Sequence, residues 1–329
     1  MKKVLLILMC CMAIQSVHAQ DTPKWADKAK KAVFSIVTYD KENKIKNTGN
    51  GFYIDNNGTA LSDYSLFEDA ERAVIINADG KELPVTRIAG ANSMYDVIKF
   101  RTKTEKKITA LKVATQPAAV GETVYLLPYS TQKAATCQTG KVTQVDTIAD
   151  KAYYYTLTMT TSDKTVSCPI MNANGEVLGL IQKSASEEDK ESYAIGASYG
   201  ESLSISPLSA NDINLNKIGI AKALPETEDQ ALVYLYMSSS QMDAKNYLAT
   251  LNDFLQAYPN STEGYTRRAG YYMNIGDDEH NALAEADLKK AMDVSGNKTE
   301  GQYNVAKIIY SYCINLEEGM HVQILPLHK

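Results

Sequence analysis

Residues 49–67 read GNGFYIDNNGTALSDYSLF, which is a run of apolar and aromatic residues, then a polar turn, then a second apolar run. Residues 51–54 have the aromatic and β-branched composition that is typical of a β-strand. Asn57-Gly58 is one of the strongest short signals for a tight turn, because glycine adopts a positive φ without strain. The stretch therefore predicts a strand that ends in a tight turn.

The same alternation of short apolar runs and turn residues continues from residue 31 to about residue 205. Further runs that are rich in apolar and β-branched residues occupy residues 33–39, 73–76, 123–127 and 154–159. Asp79-Gly80 and Asn174-Gly175 supply two more turn signals. Many short strands at this spacing predict an all-β barrel or sandwich pair.

The pattern changes after residue 206, where an extended Ile/Leu/Asn-rich connector leads to helical periodicity between residues 227 and 316. Tyr247, Leu251 and Phe254, for example, share one face of a helix. We therefore divide the chain in order along its length. The divisions are a signal peptide at 1–19, a β domain at 25–205, a linker at 206–225, a helical domain at 226–316 and an irregular tail at 317–329.

The N-terminal residues have the three parts of a secretory signal peptide. Met1-Lys2-Lys3 is a basic start, residues 4–14 are apolar, and Val17-His18-Ala19 resembles a cleavage site. The apolar run is shorter than the roughly 18 residues that a membrane-spanning helix needs. We expect the mature protein to be exported to the periplasm or the cell exterior, without inserting in a membrane.

The composition excludes several functional classes. The chain has 329 residues and a net charge of -5, so it lacks the excess of basic residues that nucleic-acid binding requires. It contains no phosphate-binding Gly-x4-Gly-Lys-Ser/Thr loop, and no histidine occurs between His18 and His280 to support a zinc site. We expect no metal and no cofactor.

Three cysteines remain after removal of the signal peptide. Cys137 and Cys168 both fall in the second half of the β domain, and Cys313 falls in the helical domain. An exported protein can oxidise such a pair, so a disulfide between Cys137 and Cys168 is one interpretation. The alternative is that both are small buried side chains with free thiols.

The β domain resembles secreted trypsin-like and HtrA-type serine peptidases over about residues 28–205. The run at 49–67 is similar to the family's Gly-x-Gly-Phe-x-Ile strand followed by Leu-Thr-Asn-x-His-Val, which puts Ser65 at the position of the general base. The run at 91–100 is similar to the strand that carries the family's orienting aspartate, here Asp96. The resemblance implies a double β-barrel.

The third motif of the family is Gly-x-Ser-Gly-Gly-Pro-Leu, and residues 164–170 resemble it. Anchoring on Pro169 puts Val166 at the nucleophile position, with Lys164, Ser167 and Cys168 where glycines belong. A valine cannot attack a carbonyl, and no imidazole is present to take a proton. Two rescue candidates are Ser167, after a one-residue slip, and Cys168, as a thiolate.

The helical domain resembles tetratricopeptide repeats over about residues 227–316. Tyr265, Ala269 and Tyr272 match the first helix of a repeat, and residues 284–291 match the second. Tyr303, Ala306 and Tyr310 would begin a third repeat. The resemblance implies a concave face for binding, and Tyr265, Tyr272 and Tyr303 are its candidate residues.

These features predict a proteolytically inactive trypsin-like domain that binds a protein or peptide partner through its cleft and its helical repeats. One alternative is an active serine- or cysteine-type endopeptidase that uses Ser167 or Cys168. A second alternative assigns all binding to the helical domain and leaves the barrels as a spacer.

Overall fold

The computed structural model describes residues 22–104, 108–149, 152–182 and 191–317. The predicted signal peptide at 1–19 and residues 318–329 of the predicted tail lie outside the described residues. Within the described ranges, the β domain consists of two closed six-stranded barrels, and a helical region follows them.

The two barrels have the same topology. The first contains β1 (Val33–Tyr39), β2 (Ile45–Tyr53), β3 (Thr59–Ser62), β4 (Arg72–Ile76), β5 (Glu82–Asn92) and β6 (Val97–Thr102). The second contains β7 (Thr123–Leu126), β8 (Gln138–Ala149), β9 (Ala152–Leu157), β10 (Pro169–Met171), β11 (Val177–Ile181) and β12 (Ser192–Gly196). Around each barrel the neighbours run first-second-third-sixth-fifth-fourth, and every pairing within the barrels is antiparallel. The predicted all-β double barrel is confirmed.

Apolar residues from alternate strand positions fill both barrels, as the sequence pattern requires. Fully buried side chains include Phe34, Ile36, Phe52 and Phe100 in the first barrel, and Val124, Leu126, Leu157, Ile170 and Leu180 in the second. The predicted turn at Asn57-Gly58 forms with Gly58 at φ +99, and Gly175 has φ +77 in the turn between β10 and β11. A side chain at Gly175 would also collide with the Trp25 ring, 2.7 Å away.

Segments outside the strands fix the two barrels to each other. The short helix α1 (Ala26–Ala29) leads into β1 but is bound to the second barrel. Asp27 accepts the backbone N–H of Ala135 at 2.8 Å, and the Trp25 indole donates to the Ala173 carbonyl at 3.0 Å. Short 3-10 helices occupy Lys30–Ala32, Tyr64–Leu66 and Pro207–Asn211.

The connector at 206–225 is packed against the first barrel, so the expectation of an extended linker is wrong. It follows α2 (Ala197–Ser202) and contains α3 (Ile213–Asn216). Ile218 and Ile220 are buried, and Ala223 donates its N–H to the Ile88 carbonyl of β5 at 2.7 Å. Burial of these isoleucines gives the connector a defined position on the barrel.

Five helices follow the connector: α4 (Glu228–Ser238), α5 (Ala244–Ala257), α6 (Thr262–Ile275), α7 (Asp278–Val294) and α8 (Lys298–Glu317). Thr227, Asp243, Ser261 and Asp277 cap the first four of these by accepting backbone N–H groups. Gly276 ends α6 in the left-handed conformation, and Asp277 is already the cap of α7. The helical region predicted at 226–316 is therefore present.

The helical region contacts the first barrel through α5, because Arg87 of β5 donates from Nε to the Asp253 carboxylate at 2.9 Å. Its own core is a set of small and medium apolar side chains between α6, α7 and α8, including Ala269, Met273, Ala284 and Val305. No helix among the described residues has the length and apolar character that crossing a membrane requires.

Candidate active-site region

The structure brings Ser65 and Asp96 together. Ser65 lies in the 3-10 helix after β3, and Asp96 lies in the turn between β5 and β6 with φ +48. Ser65 donates its backbone N–H to Asp96 Oδ1 at 2.7 Å and its hydroxyl to Oδ2 at 3.0 Å. The first barrel thus brings together the two residues that the sequence motifs predict at the general-base and orienting positions.

That pair cannot perform general-base catalysis, because a serine hydroxyl has no lone pair that takes a proton near neutral pH. The hydroxyl of Ser65 is moreover committed as a donor to the carboxylate. Asp96 therefore orients a hydroxyl that is too weak a base to take a proton from a nucleophile. The arrangement stabilises the turn between β5 and β6 by two hydrogen bonds to a carboxylate.

The loop before β10 carries the residue at the nucleophile position and is closed on itself. Thr165 and Val166 both donate their N–H groups to the Ser162 carbonyl, at 2.8 and 3.2 Å. Ser167 donates to the Ile181 carbonyl at 2.9 Å, and Cys168 donates to the Thr165 carbonyl at 3.1 Å. Since an oxyanion hole needs unpaired N–H groups that point at the substrate, the Val166 amide is unavailable for that role.

Asn50 of β2 holds the same loop from the first barrel, and the sequence did not single it out. Its amide donates to the Lys164 and Val166 carbonyls at 3.1 and 2.9 Å. The Asn50 carbonyl in turn accepts the Ser62 hydroxyl at 2.6 Å. Because Asn50 is buried, these bonds fix the loop against the first barrel and stabilise its closed shape.

Ser167, one of the two rescue candidates, is fully buried and has φ +63. This left-handed conformation costs an L-residue roughly 1–2 kcal/mol and is the one that a glycine adopts freely. The hydroxyl oxygen makes no hydrogen bond within the described part of the chain. Ser167 therefore retains the backbone of a glycine position while placing a hydroxyl where substrate cannot reach it.

Asp63 is a buried carboxyl beside this loop, and the sequence analysis missed it. Its exposure is only 2%. Burial raises the pKa of Asp63 well above its usual value, the Asp96 carboxylate raises this pKa further, and the nearby Ser167 hydroxyl lowers it. Oδ1 of Asp63 and the Ser167 hydroxyl nevertheless form no hydrogen bond of ordinary geometry in the described chain. The signal that could have revealed Asp63 is an acidic residue directly after the apolar strand β3.

Cys168, the second rescue candidate, is also fully buried. Burial raises the pKa of its thiol to about 12, and the carboxyl of Asp63 adds to this rise. A thiol with so high a pKa is protonated near neutral pH, and the thiolate is the nucleophilic form. The environment of Cys168 thus opposes the role of an attacking group.

Cys137 and Cys168 are both free thiols in the structure. Cys137 is half-buried, and burial together with Asp27 raises the pKa of its thiol to about 11. The structure agrees with the second interpretation of these residues, in which they are small side chains packed among apolar neighbours.

Hydrogen bonds also cross the cleft between the barrels. Gln182, directly after β11, donates its amide to the Tyr95 carbonyl of the first barrel at 2.7 Å. Its side-chain oxygen accepts the Tyr154 hydroxyl at 2.7 Å, and the Tyr154 ring stacks on Tyr193 with centroids 6.1 Å apart. The two barrels are thus linked here through polar and aromatic side chains.

The three candidate face tyrosines occupy different environments. Tyr272 is buried between α6 and α7, so its assignment to a binding face is wrong. Tyr265 is partly buried and donates its hydroxyl to the Pro259 carbonyl at 3.1 Å. Tyr303 is 66% exposed, and the neighbouring Ala306 is exposed as well. The expected inward positions of a third repeat therefore point outward on α8, which packs through Val305 instead.

No group of three or more histidine, cysteine, aspartate or glutamate side chains in the described ranges is arranged to hold a metal ion. A family model described as the trypsin-like peptidase domain matches residues 49–180. No curated protein matches the chain. The two closed barrels, with their shared topology, have the fold of the trypsin-like peptidase domain, and residues 49–180 are the part of the chain that matches this family.

Proposed function

We propose that this protein is a pseudoprotease, a proteolytically inactive trypsin-like domain that is exported and binds a protein or peptide partner. The observation that carries the proposal is the closed loop at residues 162–168. Val166 stands at the nucleophile position, and its N–H is bonded within the loop instead of being free for an oxyanion. The signal-peptide pattern at 1–19 supports export.

Removal of the catalytic groups has large consequences for rate. Loss of one oxyanion donor alone costs roughly 2.7–4 kcal/mol of transition-state stabilisation. Neither Ser167 nor Cys168 replaces the lost nucleophile, because both side chains are fully buried within the loop. We therefore favour binding over turnover.

The proposed binding surface includes the helical region, which we interpret as a short tetratricopeptide-like stack. The antiparallel pair α6 and α7 has the arrangement of one repeat, and α8 packs beside it. A groove of about 350 Å³ lies between α6 and α8. Its lining is mostly polar and includes Glu263, Asn274, Asn304 and Lys307. Such a lining favours a polar peptide segment, held by side-chain hydrogen bonds.

The proposal is tested by measuring binding and turnover on one substrate. Fluorescein-labelled unfolded casein would be incubated with the mature protein and followed by anisotropy and by gel electrophoresis, with trypsin as the positive control. We expect anisotropy to rise while casein remains intact. Lys307→Glu in the groove should weaken binding more than Lys289→Glu, its control on the exposed face of α7.

Cleavage of casein by the wild type that is lost in Ser167→Ala or Cys168→Ala would overturn the proposal and establish an endopeptidase. Both variants are conservative in volume, so circular dichroism can confirm that each remains folded. An absence of both binding and cleavage by folded protein would contradict the binding role.

A further inference from the structure

The junction between the first barrel and the helical region contains a small pocket that the proposed function does not use. Its volume is about 210 Å³, and its walls come from the connector and from helices α4 and α5. We call it the junction pocket and define it by Ile220, Lys222, Tyr234, Gln241 and Met242. It opens toward a wider cleft that shares Gln241 with it.

Lys222 supplies a positive charge in this pocket. Its Nζ donates to the Ile218 and Ile220 carbonyls at 2.5 and 2.9 Å. An ammonium group has three donors, so one N–H remains for a ligand. Burial lowers the pKa of Lys222 to about 8, and the exposed Glu71 carboxylate opposes this lowering. The group is therefore mainly an ammonium at neutral pH, although burial makes its charge costly.

Tyr234 of α4 supplies a second donor. Its side chain is only 2% exposed, and its hydroxyl makes no hydrogen bond to the described residues. The hydroxyl is not one of the buried polar atoms that lack a partner in the described ranges, so it is accessible to solvent in the pocket and can donate to a ligand there. Burial also raises the pKa of Tyr234 to about 12, so the hydroxyl keeps its proton and can donate it.

Of the other charged groups near the pocket, the Glu71 carboxylate lies against Gly219 of the wall and attracts Lys222, and two more are paired with neighbours. The Asp243 carboxylate, at the N-terminus of α5, accepts the backbone N–H and the amide of Asn246 at 2.9 and 2.7 Å. Lys217 in the outer cleft is paired with Glu68 at 2.7 Å. Lys222 and Tyr234 thus offer donors to the pocket, and Ile220 and Met242 are apolar members of its lining.

We propose that the junction pocket binds a small monocarboxylate, with its carboxylate on Lys222 and Tyr234 and its alkyl chain against the apolar wall. The size of the pocket agrees with this class. Its volume of about 210 Å³ lies below the roughly 300–1,000 Å³ of pockets that hold drug-sized ligands, which favours a small molecule such as a short carboxylic acid.

Butyrate is the probe that tests the proposal, with butyramide as an uncharged molecule of the same shape. Saturation-transfer NMR on the full chain at pH 6.5 should show butyrate binding with a Kd on the order of 1 mM, and much weaker butyramide binding. Affinity should fall about tenfold per pH unit above pH 8, because only the ammonium form of Lys222 attracts the carboxylate.

Single substitutions test Lys222 and Tyr234 separately, and a control substitution tests the effect of removing a positive charge elsewhere. Lys222→Met keeps the length of the side chain and should abolish butyrate binding, whereas Tyr234→Phe should weaken it about fivefold. Lys217→Met is the matched control and should leave the affinity unchanged, since Lys217 is exposed and paired.

Three results would overturn the inference. They are no butyrate binding by folded wild-type protein at ten times the expected Kd, equal binding of butyramide, and an affinity that does not change with pH between 6.5 and 9.5. The last two are measured on the wild-type chain, so they decide the question even if Lys222→Met fails to fold.

Discussion

The two barrels have the same strand order but differ in how their residues compare with the catalytic motifs of trypsin-like peptidases. The first barrel keeps the geometry of its part of the site, because Ser65 still pairs with Asp96 through two hydrogen bonds. The second barrel has a valine at the nucleophile position and a loop whose amides bond internally. In the first barrel the predicted site is a pair of hydrogen-bonded residues, and in the second it is a loop closed by backbone hydrogen bonds.

This difference shows which part of the predicted catalytic site depends on strand pairing and which part depends on the conformation of a loop. The position of Asp96 relative to Ser65 follows from the pairing of β6 with β5 on one side and β3 on the other, so it persists as long as the first barrel folds. An oxyanion hole instead depends on a few loop residues that adopt unusual backbone conformations. Residues such as Lys164 and Ser167 can occupy that loop without any loss of barrel structure.

The largest expected effect is the pH dependence contributed by Asp63, a carboxyl of the first barrel that lies beside the loop of the second. Because its pKa is raised in the folded state, the folded protein holds a proton that the unfolded chain releases above about pH 4. The free energy of unfolding should therefore fall as pH rises from about 4 toward the folded-state pKa, by at most about 1.4 kcal/mol per unit. Asp63→Asn removes the titrating group and should flatten this dependence.

Urea unfolding at pH 5 and pH 8 measures this effect. Asp79→Asn, in the exposed turn between β4 and β5, is the control that keeps the buried carboxyl. If Asp63→Asn and Asp79→Asn show the same change in unfolding free energy between the two pH values, the buried carboxyl of Asp63 does not hold its proton.

A smaller effect is expected from Ser167→Gly in the second barrel. Glycine adopts the left-handed conformation without the roughly 1–2 kcal/mol cost to an L-residue, and it removes a buried, unpaired hydroxyl. Glycine has greater conformational entropy in the unfolded chain, and this lowers the expected stabilisation by roughly 0.5–1 kcal/mol. We expect a net stabilisation of about 1 kcal/mol in chemical denaturation.

Ser167→Ala distinguishes the two causes, since it removes the hydroxyl but keeps the strained Cβ. It should stabilise less than Ser167→Gly. A glycine variant that is less stable than the wild type would show that the loop does not strain Ser167.

The smallest effect is expected from Ser65→Ala in the first barrel. The hydroxyl of Ser65 is exposed, so its bond to Asp96 is worth about 0.5 kcal/mol, and the backbone bond remains in the variant. Ser93→Ala, an exposed serine in the turn before Asp96, should have no measurable effect. A loss of more than about 2 kcal/mol in Ser65→Ala would show that the pair supports the barrel far more than its exposure suggests.

Much of the fold could be predicted because strands and turns are encoded locally. The runs at 33–39 and 154–159 became β1 and most of β9, and Asn57-Gly58 formed a turn with glycine at positive φ. The connector at 206–225 was harder to predict. Its isoleucines gain their burial from a barrel surface that is far away in sequence, so no local pattern revealed it.

The sequence motifs predicted which residues belong to the candidate site but not the contacts that these residues make. Ser65, Asp96 and Val166 could be placed by motif, but the closure of the loop through the Ser162 carbonyl depends on three-dimensional contacts with Asn50. Asp63 was missed because burial changes the chemistry of a carboxyl that looks ordinary in sequence. Tyr272 and Tyr303 show the same limit, since small errors in helical register exchange buried and exposed faces.

The most direct test of the central claim is labelling by a serine-directed fluorophosphonate, measured by intact mass on the wild type and on the double variant Ser65→His/Val166→Ser. The double variant restores both side chains but leaves the backbone of the loop closed. We predict no mass increase in either protein, while trypsin is labelled in parallel. Labelling of the wild type that Ser167→Ala removes, or labelling of the double variant, would contradict the account of a closed, non-catalytic loop.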